Sequence, residues 1–217
     1  FTDPPTLDPH LTTDATSAQI IVEVFGGLMT IDTELNVVPD LAESWNISDN
    51  AQLYTFRLRP DATFHNGKQV TADDVRWSLE RATNPLTESP VVDQYLGDIV
   101  GVDEKLKGDA QTISGVRVID DLTIEIRIDE AKSYFLAKLT YPTAFVLDRE
   151  SIEADRKNWF RNPNGTGPFR LSDSVLRASM MWSKDGCFED SEFATRLYYE
   201  SRVGETRCGL SGQRFPN

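Results

Sequence analysis

Residues 39–82 constrain the fold more than any other part of the chain. In residues 54–59, with the sequence Tyr-Thr-Phe-Arg-Leu-Arg, apolar and polar side chains alternate strictly. This two-residue period predicts a strand with one buried face. A short way downstream, Asn66-Gly67 supplies residue types that adopt a positive φ at little cost. The pattern therefore predicts a strand followed by a tight turn.

A helix start follows this turn. Thr71 is placed to cap a first helical turn, and the carboxylates of Asp73 and Asp74 suit the positive end of a helix dipole. Behind the cap, apolar residues fall on one stripe at helical spacing: Val75, Leu79 and Ala82. Strand, turn and amphipathic helix are therefore predicted in that order.

Other segments carry weaker secondary-structure patterns. Apolar residues between positions 17 and 29 have helical spacing as far as Gly26-Gly27, which predicts a core-facing helix broken at the glycines. Residues 116–128 alternate on both sides of a polar turn, which predicts a hairpin with one apolar and one charged face. Residues 131–147 predict a short helix and then a buried strand at positions 145–147. A helix is predicted at about residues 149–158, and residues 83–115 are expected to be rich in loops.

The charge balance and the hydropathy exclude two kinds of interaction. The 22 basic and 35 acidic residues give a formal charge of −13, whereas a nucleic-acid backbone requires a basic face. No run approaches the roughly 18 apolar residues that a membrane-spanning helix needs. Cys187 and Cys208 either close one loop in an oxidising compartment or remain thiols, and they are too few for a structural zinc site.

The sequence predicts no catalytic constellation. The only histidines are His10 and His65, and no Gly-x-Ser-x-Gly elbow presents a nucleophile. The acid pairs Asp73-Asp74 and Asp120-Asp121 are explained by a helix cap and a hairpin turn. His65 is interpreted as a turn histidine with a backbone hydrogen bond rather than as a metal ligand. We therefore expect neither enzyme activity nor a metal or other cofactor.

Several submotifs occur in an order and spacing that resemble one protein family. They are Pro39-Asp40-Leu41-Ala42-Glu43-Ser44-Trp45, Tyr54-Thr55-Phe56 with Leu58-Arg59, Phe64-His65-Asn66-Gly67, Thr71-Ala72-Asp73-Asp74-Val75, Ser78-Leu79-Glu80-Arg81 and the later Gly165-Thr166-Gly167-Pro168-Phe169. The chain resembles the extracytoplasmic solute-binding proteins of ABC transporters of the peptide and nickel type, which include oligopeptide- and dipeptide-binding proteins. The resemblance covers roughly residues 5–172 and only the N-terminal portion of that family.

The resemblance implies an α/β fold of the periplasmic-binding-protein-like type II. It implies lobe I with its inserted small α+β subdomain, and it implies that the second lobe is missing. Residues 1–40 are then the start of the lobe I main sheet, residues 41–163 the inserted small subdomain, and residues 164–173 the return to lobe I. Residues 174–217 form a tail that the resemblance does not match. The glycines of Gly-Thr-Gly-Pro-Phe are expected to allow tight backbone packing rather than anion binding.

The resemblance also implies where a ligand binds. The loop after Leu7-Asp8-Pro9-His10 lies at the mouth of the ligand cleft in the family. This places the following residues at the cleft: Thr13, Asp14 and Ala15. Further lining residues are implied on the small-subdomain side: Val91, Tyr95 and Tyr141.

The implied function is capture of a peptide or a related small solute. The ligand would be taken up outside the cytoplasmic membrane and delivered to an ABC permease. The protein is expected to be a monomer that is periplasmic or at the cell surface, where it would be lipid-anchored in a Gram-positive organism. Binding by this chain is expected to be impaired, because half of the ligand contacts come from the second lobe. Two alternatives stay open. One is a non-catalytic interaction module whose tail presents Met180-Met181-Trp182, and the other is a small acidic hydrolase that uses a carboxylate pair.

Overall fold

The computed structural model describes residues 4–171 and 197–199. In chain order its elements are α1 (Ala15–Val24), β1 (Met29–Ile31), β2 (Val37–Pro39), β3 (Ala42–Ile47), β4 (Leu53–Leu58), α2 (Ala72–Ala82), a 3-10 turn (Pro85–Thr87), α3 (Val92–Leu96), α4 (Val102–Leu106), β5 (Val116–Asp120), β6 (Thr123–Arg127), α5 (Phe135–Lys138), a 3-10 turn (Pro142–Ala144), α6 (Arg149–Ala154), a 3-10 turn (Trp159–Arg161), β7 (Phe169–Leu171) and β8 (Leu197–Tyr199). The tail residues singled out in the sequence, Cys187, Cys208 and Met180-Met181-Trp182, lie outside the described residues.

Four antiparallel strands in the order β3-β4-β6-β5 form the main sheet of this part of the chain. Strand β4 pairs Phe56 with Ile124 and Tyr54 with Ile126 of β6. All four of these side chains are buried, whereas Arg57, which follows Phe56, is exposed. The strand predicted at residues 54–59 and the hairpin predicted at residues 116–128 are therefore confirmed. Two smaller antiparallel pairs, β1 with β2 and β7 with β8, flank this sheet in sequence.

The turn and the helix start predicted downstream of β4 are confirmed as well. Gly67 adopts φ = 86°, a left-handed conformation that favours glycine. The Thr71 hydroxyl accepts a hydrogen bond from Asp74 N at 3.3 Å, and the Asp74 carboxylate accepts one from Thr71 N at 2.9 Å. This reciprocal capping box satisfies two backbone donors at the start of α2. The apolar stripe of α2 is buried, and the helix contacts β5 and β6.

Two hydrophobic clusters fill the described structure. The first, called the sheet core, lies between the inner face of the four-stranded sheet and α2 and extends to neighbouring loops. Its members include Leu41, Tyr54, Phe56, Leu58, Phe64, Val75, Leu79, Leu96, Ile124, Ile126 and Phe135. The second, called the α1 core, gathers the buried face of α1 and residues from the other end of the described chain. It consists of Leu7, Ile20, Ile21, Val24, Phe25, Phe145, Leu147, Ile152, Trp159 and Leu171.

The Gly-Thr-Gly motif closes the α1 core by backbone contact. A Cβ atom on Gly165 or Gly167 would overlap the backbone of Val24 or Glu23. Gly167 N donates to Val24 O at 2.9 Å, and Gly26 N donates to the Thr166 hydroxyl at 2.9 Å. The prediction that these glycines serve tight packing is confirmed. These contacts also explain why α1 ends at Val24, because the backbone after this residue is hydrogen-bonded to the motif.

The buried strand predicted at residues 145–147 is wrong. Phe145, Val146 and Leu147 are buried as expected, but they do not join a sheet. Val146 N donates to Gly26 O at 2.9 Å, and Leu147 N donates to the Ser78 hydroxyl at 2.9 Å. The segment passes between a loop and a helix instead of along a strand edge, so no ladder forms.

One other element prediction needs correction. The helix predicted at about residues 149–158 is confirmed only as far as Ala154, since Asp155 leaves the helical region (φ = −143°, ψ = 73°) and its carbonyl accepts from Asn158 N and Trp159 N. The segment 83–115 is rich in loops, as predicted, and also contains the short helices α3 and α4. The domain boundaries implied at residues 40, 163 and 173 stay a prediction. In the described part of the chain, no helix combines the length and the apolar character needed to cross a bilayer.

Candidate functional site

The first three ligand-binding residues implied by the sequence lie at the start of α1. Asp14 is the N-cap residue, and its carboxylate accepts a hydrogen bond from Ser17 N at 2.8 Å. Burial would raise the pKa of Asp14, but the hydrogen bonds from Ser17 outweigh it and lower the pKa, so the carboxylate stays ionised at neutral pH. Thr13 and Ala15 are exposed on either side. The Asp14 carboxylate therefore places a negative charge at the start of α1, and one of its oxygens accepts the capping hydrogen bond.

The other three residues lie around α3 and the 3-10 turn at Pro142–Ala144. Val91 is the residue before α3 and is half-buried, and Tyr95 follows one helical turn later. The rings of Tyr95 and Tyr141 stack, with centroids 3.7 Å apart and planes at 7°. Burial, and after it the proximity of Tyr95, raises the pKa of the Tyr141 phenol. The two rings form a flat, half-buried aromatic surface.

The structure relates these two sets of residues through one turn. The 3-10 turn Pro142–Ala144 contacts both α1 and α3. Tyr95 and Tyr141 are in direct contact, whereas Thr13–Ala15 stand on a separate element that shares this turn as a neighbour. We call the two sets of residues together the tyrosine face: Thr13, Asp14, Ala15, Val91, Tyr95 and Tyr141.

Sequence reasoning missed three hydroxyl groups next to the tyrosine face. The side-chain oxygens of Thr12, Ser89 and Thr143 are buried and have no hydrogen-bond partner among the described residues. Each lies within two positions of a residue of the tyrosine face. A buried hydroxyl without a partner costs on the order of 1–3 kcal/mol, which a hydrogen-bonding ligand group can offset. No local pattern in the sequence marks these residues, because their burial depends on contacts between distant elements.

A separate polar groove of about 630 Å³ shares no residue with the tyrosine face. Its lining includes Asn66, Asp155, Asn158, Asn164 and Arg170. Much of this lining is already engaged, because the amides of Asn66 and Asn164 both donate to the Asp148 carboxylate. We therefore place the candidate site at the tyrosine face, where polar groups are buried but unsatisfied, and not in the groove.

Asp148 is the centre of a polar network beside this groove. Its carboxylate lies 3.1 Å from Lys68 Nζ and accepts a hydrogen bond from the Asn164 amide at 2.8 Å. Burial alone would raise the pKa of Asp148, but hydrogen bonds from Ser151, Asn164 and Lys68 outweigh it and lower the pKa. The network joins three segments that are far apart in sequence, and its role is structural.

His65 also has a structural role. Its Nδ1 accepts a hydrogen bond from Gly165 N at 3.2 Å, and its Nε2 faces Gly167 O at 2.9 Å. The interpretation of His65 as a turn histidine bonded to the backbone is confirmed. Within residues 4–171 and 197–199, no three histidine, cysteine or acidic side chains converge in a way that could hold a metal ion.

The comparisons with known proteins identify the family. Residues 36–185 match the model described as bacterial extracellular solute-binding proteins, family 5 middle region. The chain belongs to this family. Family 5 consists of solute-binding proteins that act outside the cytoplasm, not of enzymes. The family and the α/β, periplasmic-binding-protein-like type II fold expected from the sequence are thus confirmed.

Individual relatives of this family 5 protein bind peptides or other solutes. Periplasmic oligopeptide-binding protein OppA of Escherichia coli K12 is 36% identical over 175 residues, which is 78% of this chain and 32% of the relative. The probable deoxycholate-binding periplasmic protein YgiS of the same organism is 32% identical over 197 residues, which is 88% of this chain and 36% of the relative. The chain therefore spans about a third of the length of these relatives.

Solved structures give the same picture. Haemophilus influenzae OppA in complex with RPPGFSPFR is 26% identical and superposes with a TM-score of 0.77 over 82% of this chain and 35% of that one. The E. coli murein tripeptide binding protein MppA is 28% identical, with a TM-score of 0.76 over 82% of this chain and 35% of that one.

One buried polar cluster in this family 5 protein was not predicted from the sequence. The guanidinium of Arg81 donates to both carboxylate oxygens of Asp8, at 2.6 and 3.1 Å, and lies 2.9 Å from His10 Nδ1. These three residues are called the Arg81 cluster. Because Arg81 is 71 and 73 positions from its partners, no local pattern could reveal the contact.

Proposed function

We propose that this protein captures peptides outside the cytoplasmic membrane for delivery to an ABC permease, and that the tyrosine face is its side of the ligand site. The observation that carries this proposal is the stacked Tyr95–Tyr141 pair beside buried hydroxyls that lack a partner. Membership of a solute-binding family and the peptide-binding relatives support the ligand class.

The chemistry of the tyrosine face suits an extended peptide. The flat aromatic pair offers apolar area for a side chain, and the hydroxyls of Thr12 and Thr143 offer hydrogen bonds to a peptide backbone. The ionised Asp14 is placed to attract a cationic group such as a peptide amino terminus. Recognition of backbone and terminus leaves side-chain selectivity loose. No step in this mechanism breaks or forms a covalent bond.

Delivery to the permease depends on how ligand binding shifts a conformational equilibrium. A ligand that contacts two parts of a protein shifts the equilibrium towards the arrangement in which both contacts are made. We propose that peptide binding shifts the protein towards a closed form in this way and that the closed form docks on the permease. The tyrosine face covers a ligand from one side only, so the 217-residue chain by itself is expected to bind peptides weakly.

The test is a peptide titration followed by NMR and calorimetry. Addition of a mixed pool of di- to pentapeptides is expected to shift the amide signals of residues 12–15, 91–95, 141 and 143 with fast exchange, as weak binding requires. No shift at these residues with millimolar peptide would refute the proposed ligand class. Micromolar binding in the calorimeter would refute the expectation of weak binding by this chain.

A matched pair of variants assigns the binding to the tyrosine face. Tyr141→Ala removes one ring of the stack and is expected to weaken binding about fivefold, the size of one aromatic contact. Tyr134→Ala serves as the control, because this tyrosine is 52% exposed and lies outside the tyrosine face. Equal affinities for the two variants would place the ligand elsewhere.

A further inference from the structure

The imidazole of His10 is fixed by hydrogen bonds at both nitrogens. Its Nδ1 lies 2.9 Å from Arg81 NH1, and its Nε2 lies 3.2 Å from Phe145 O. A guanidinium can only donate, so Nδ1 must carry the lone pair and Nε2 must carry the proton. The ring is therefore a neutral bridge that accepts from α2 and donates to the backbone at residue 145.

This bridge is rigid because its surroundings are buried and paired. His10 is fully buried, and Asp8 is 3% exposed. The Asp8 carboxylate binds both arms of the Arg81 guanidinium and also accepts from His10 N at 3.0 Å. Trp159 covers the guanidinium, with the ring centroid 5.2 Å away. The charges that face the ring are thus those of Asp8 and Arg81, and Arg81 lowers the pKa of His10 more than Asp8 raises it.

His10 joins two of the three segments that carry the tyrosine face; the third is α3 with Val91 and Tyr95. His10 is followed within a few residues by Thr12 and Thr13, and Phe145 ends the 3-10 turn that begins directly after Tyr141. One imidazole therefore spans the loop that enters α1 and the turn that presents the tyrosine stack.

We propose that His10 is the positioning residue of the ligand site: its neutral ring holds the loop before α1 and the turn after Tyr141 at the spacing that a peptide requires. This inference rests on the proposed function. Protonation of Nδ1 would place its N–H against the N–H groups of Arg81. It would also place the positive charge of the ring next to the positive charge of the guanidinium. The ring cannot keep both hydrogen bonds in that state, so the two segments separate when His10 is charged.

The consequence is a peptide affinity that depends on the charge of one buried ring. Burial first, and the neighbouring Arg81 second, lower the pKa of His10 to about 4. The bridge is therefore intact at neutral pH and is lost only in acid. Relative to His10→Gln, which meets the same titrating peptide termini, the wild-type affinity for trialanine should be constant from about pH 7 to pH 5 and should fall near pH 4.

The experiment compares the wild-type chain with His10→Gln and His10→Ala. A glutamine amide can still donate to Phe145 O but cannot be protonated, so its trialanine affinity should persist through pH 4. His10→Ala should bind trialanine about fivefold more weakly at pH 7, the size of one lost hydrogen bond. His65→Gln is the matched control for the other histidine and should keep the wild-type affinity and pH profile.

A second readout separates this inference from the proposed function. In a long-range ¹H–¹⁵N spectrum the His10 ring should show the Nε2–H tautomer, and the amide signals of Thr13, Asp14 and Tyr141 should titrate together with it in the wild type but not in His10→Gln. If trialanine fails to bind any variant while these signals titrate together, the peptide function fails and the positioning role stands. Identical pH profiles of trialanine affinity for wild type and His10→Gln would overturn the positioning role. Amide signals that do not change when the ring titrates would overturn it as well.

Discussion

The sheet core and the α1 core are built on different principles. The sheet core draws its members from one continuous stretch, residues 28–146, and its sheet consists of two hairpins, β3-β4 and β5-β6, that pair through β4 and β6. The α1 core joins residues 7–25 to residues 145–171, with the whole sheet region between them in sequence. Two groups of polar contacts also stabilise the α1 core, namely the Arg81 cluster and the Asp148 network. Both regions have buried charge, since Asp98 pairs with Lys132 and Lys138 beside the sheet core, but the fully buried neutral histidine, His10, belongs to the polar cluster of the α1 core.

This difference predicts how the two regions respond to mutation and to acid. Apolar burial is insensitive to pH, whereas buried pairs and a buried neutral histidine are not. Removal of one partner from a buried pair leaves the other charge uncompensated, which costs more than the pair contributed. The α1 core should therefore open first in acid, and it should open separately when a polar contact is removed.

The largest loss of stability is expected from Phe56→Ala in the centre of the sheet core. This side chain, on β4 in the middle of the sheet, is completely buried in the sheet core, so its removal leaves a cavity and should lower the free energy of unfolding by about 3–5 kcal/mol. Urea unfolding followed by circular dichroism measures the effect. Leu86→Ala is the control, because Leu86 is 91% exposed and its loss should be nearly neutral. A cost near that of the control would show that the sheet core is not the main source of stability.

Arg81→Met is expected to cost about 3 kcal/mol and to act mainly on the α1 core, since it leaves the Asp8 carboxylate buried without its partner. Hydrogen exchange should speed up for the amides of α1 more than for those of β4. Arg76→Met on the same helix is the matched control, because Arg76 pairs with Asp73 at the surface and should cost below about 0.5 kcal/mol. Equal exchange rates in both regions would show that the two cores open as one unit.

Acid should weaken the fold through His10. The unfolded chain protonates this residue near pH 6.5 and the folded chain only near 4, so the unfolded state binds more protons between these values. Stability therefore falls as the pH drops through this window, by about 3 kcal/mol in total. Asp148 acts in the same direction, because its pKa is lowered in the folded chain and its contribution is lost as the pH falls through that lowered value.

Urea unfolding at pH 7 and pH 4 measures this loss. His10→Gln lacks the titrating ring, so acidification should destabilise it less than the wild type by about the same 3 kcal/mol. Identical pH dependence of the two proteins would contradict the assignment of the acid effect to His10.

The smallest expected effect concerns the cap of α2. Thr71→Ala removes one half of the capping box and should cost about 1 kcal/mol. Thr71→Ser keeps the hydroxyl and should retain most of the stability. Because α2 packs against the sheet, this loss should appear in the exchange rates of α2 and β6 and not in those of α1. A change confined to α1 would contradict the division into two cores.

The sheet core could be predicted from the sequence because its signals are local. Alternation in residues 54–59, the Asn66-Gly67 turn and the Thr71 cap each depend on neighbours a few positions away. The same reasoning failed at residues 145–147, where an apolar run suggests a strand. Burial there comes from a loop and a helix, and nothing in the local sequence distinguishes that surrounding from a sheet.

The candidate site was predictable only in part. The resemblance to the family named Tyr95 and Tyr141, and their rings do stack, but whether any of the six residues binds a ligand stays a prediction. The unsatisfied hydroxyl of Thr143 and the bridge from His10 to Phe145 could not be foreseen. Both depend on contacts between segments more than a hundred positions apart, which no window of sequence contains.

The engagement of Asn164 has a practical consequence for making this protein. Asn164-Gly165-Thr166 and Asn46-Ile47-Ser48 are both acceptor sequences for N-linked glycans. Asn46 is exposed on β3 and can carry a sugar without disturbing the fold. A glycan on the Asn164 amide would remove a donor to Asp148 at the point where the following glycine packs against α1. Secretion from yeast or mammalian cells should therefore yield misfolded material, whereas a bacterial host avoids the modification. Replacing Thr166 is no remedy, because its hydroxyl accepts a hydrogen bond from Gly26 N.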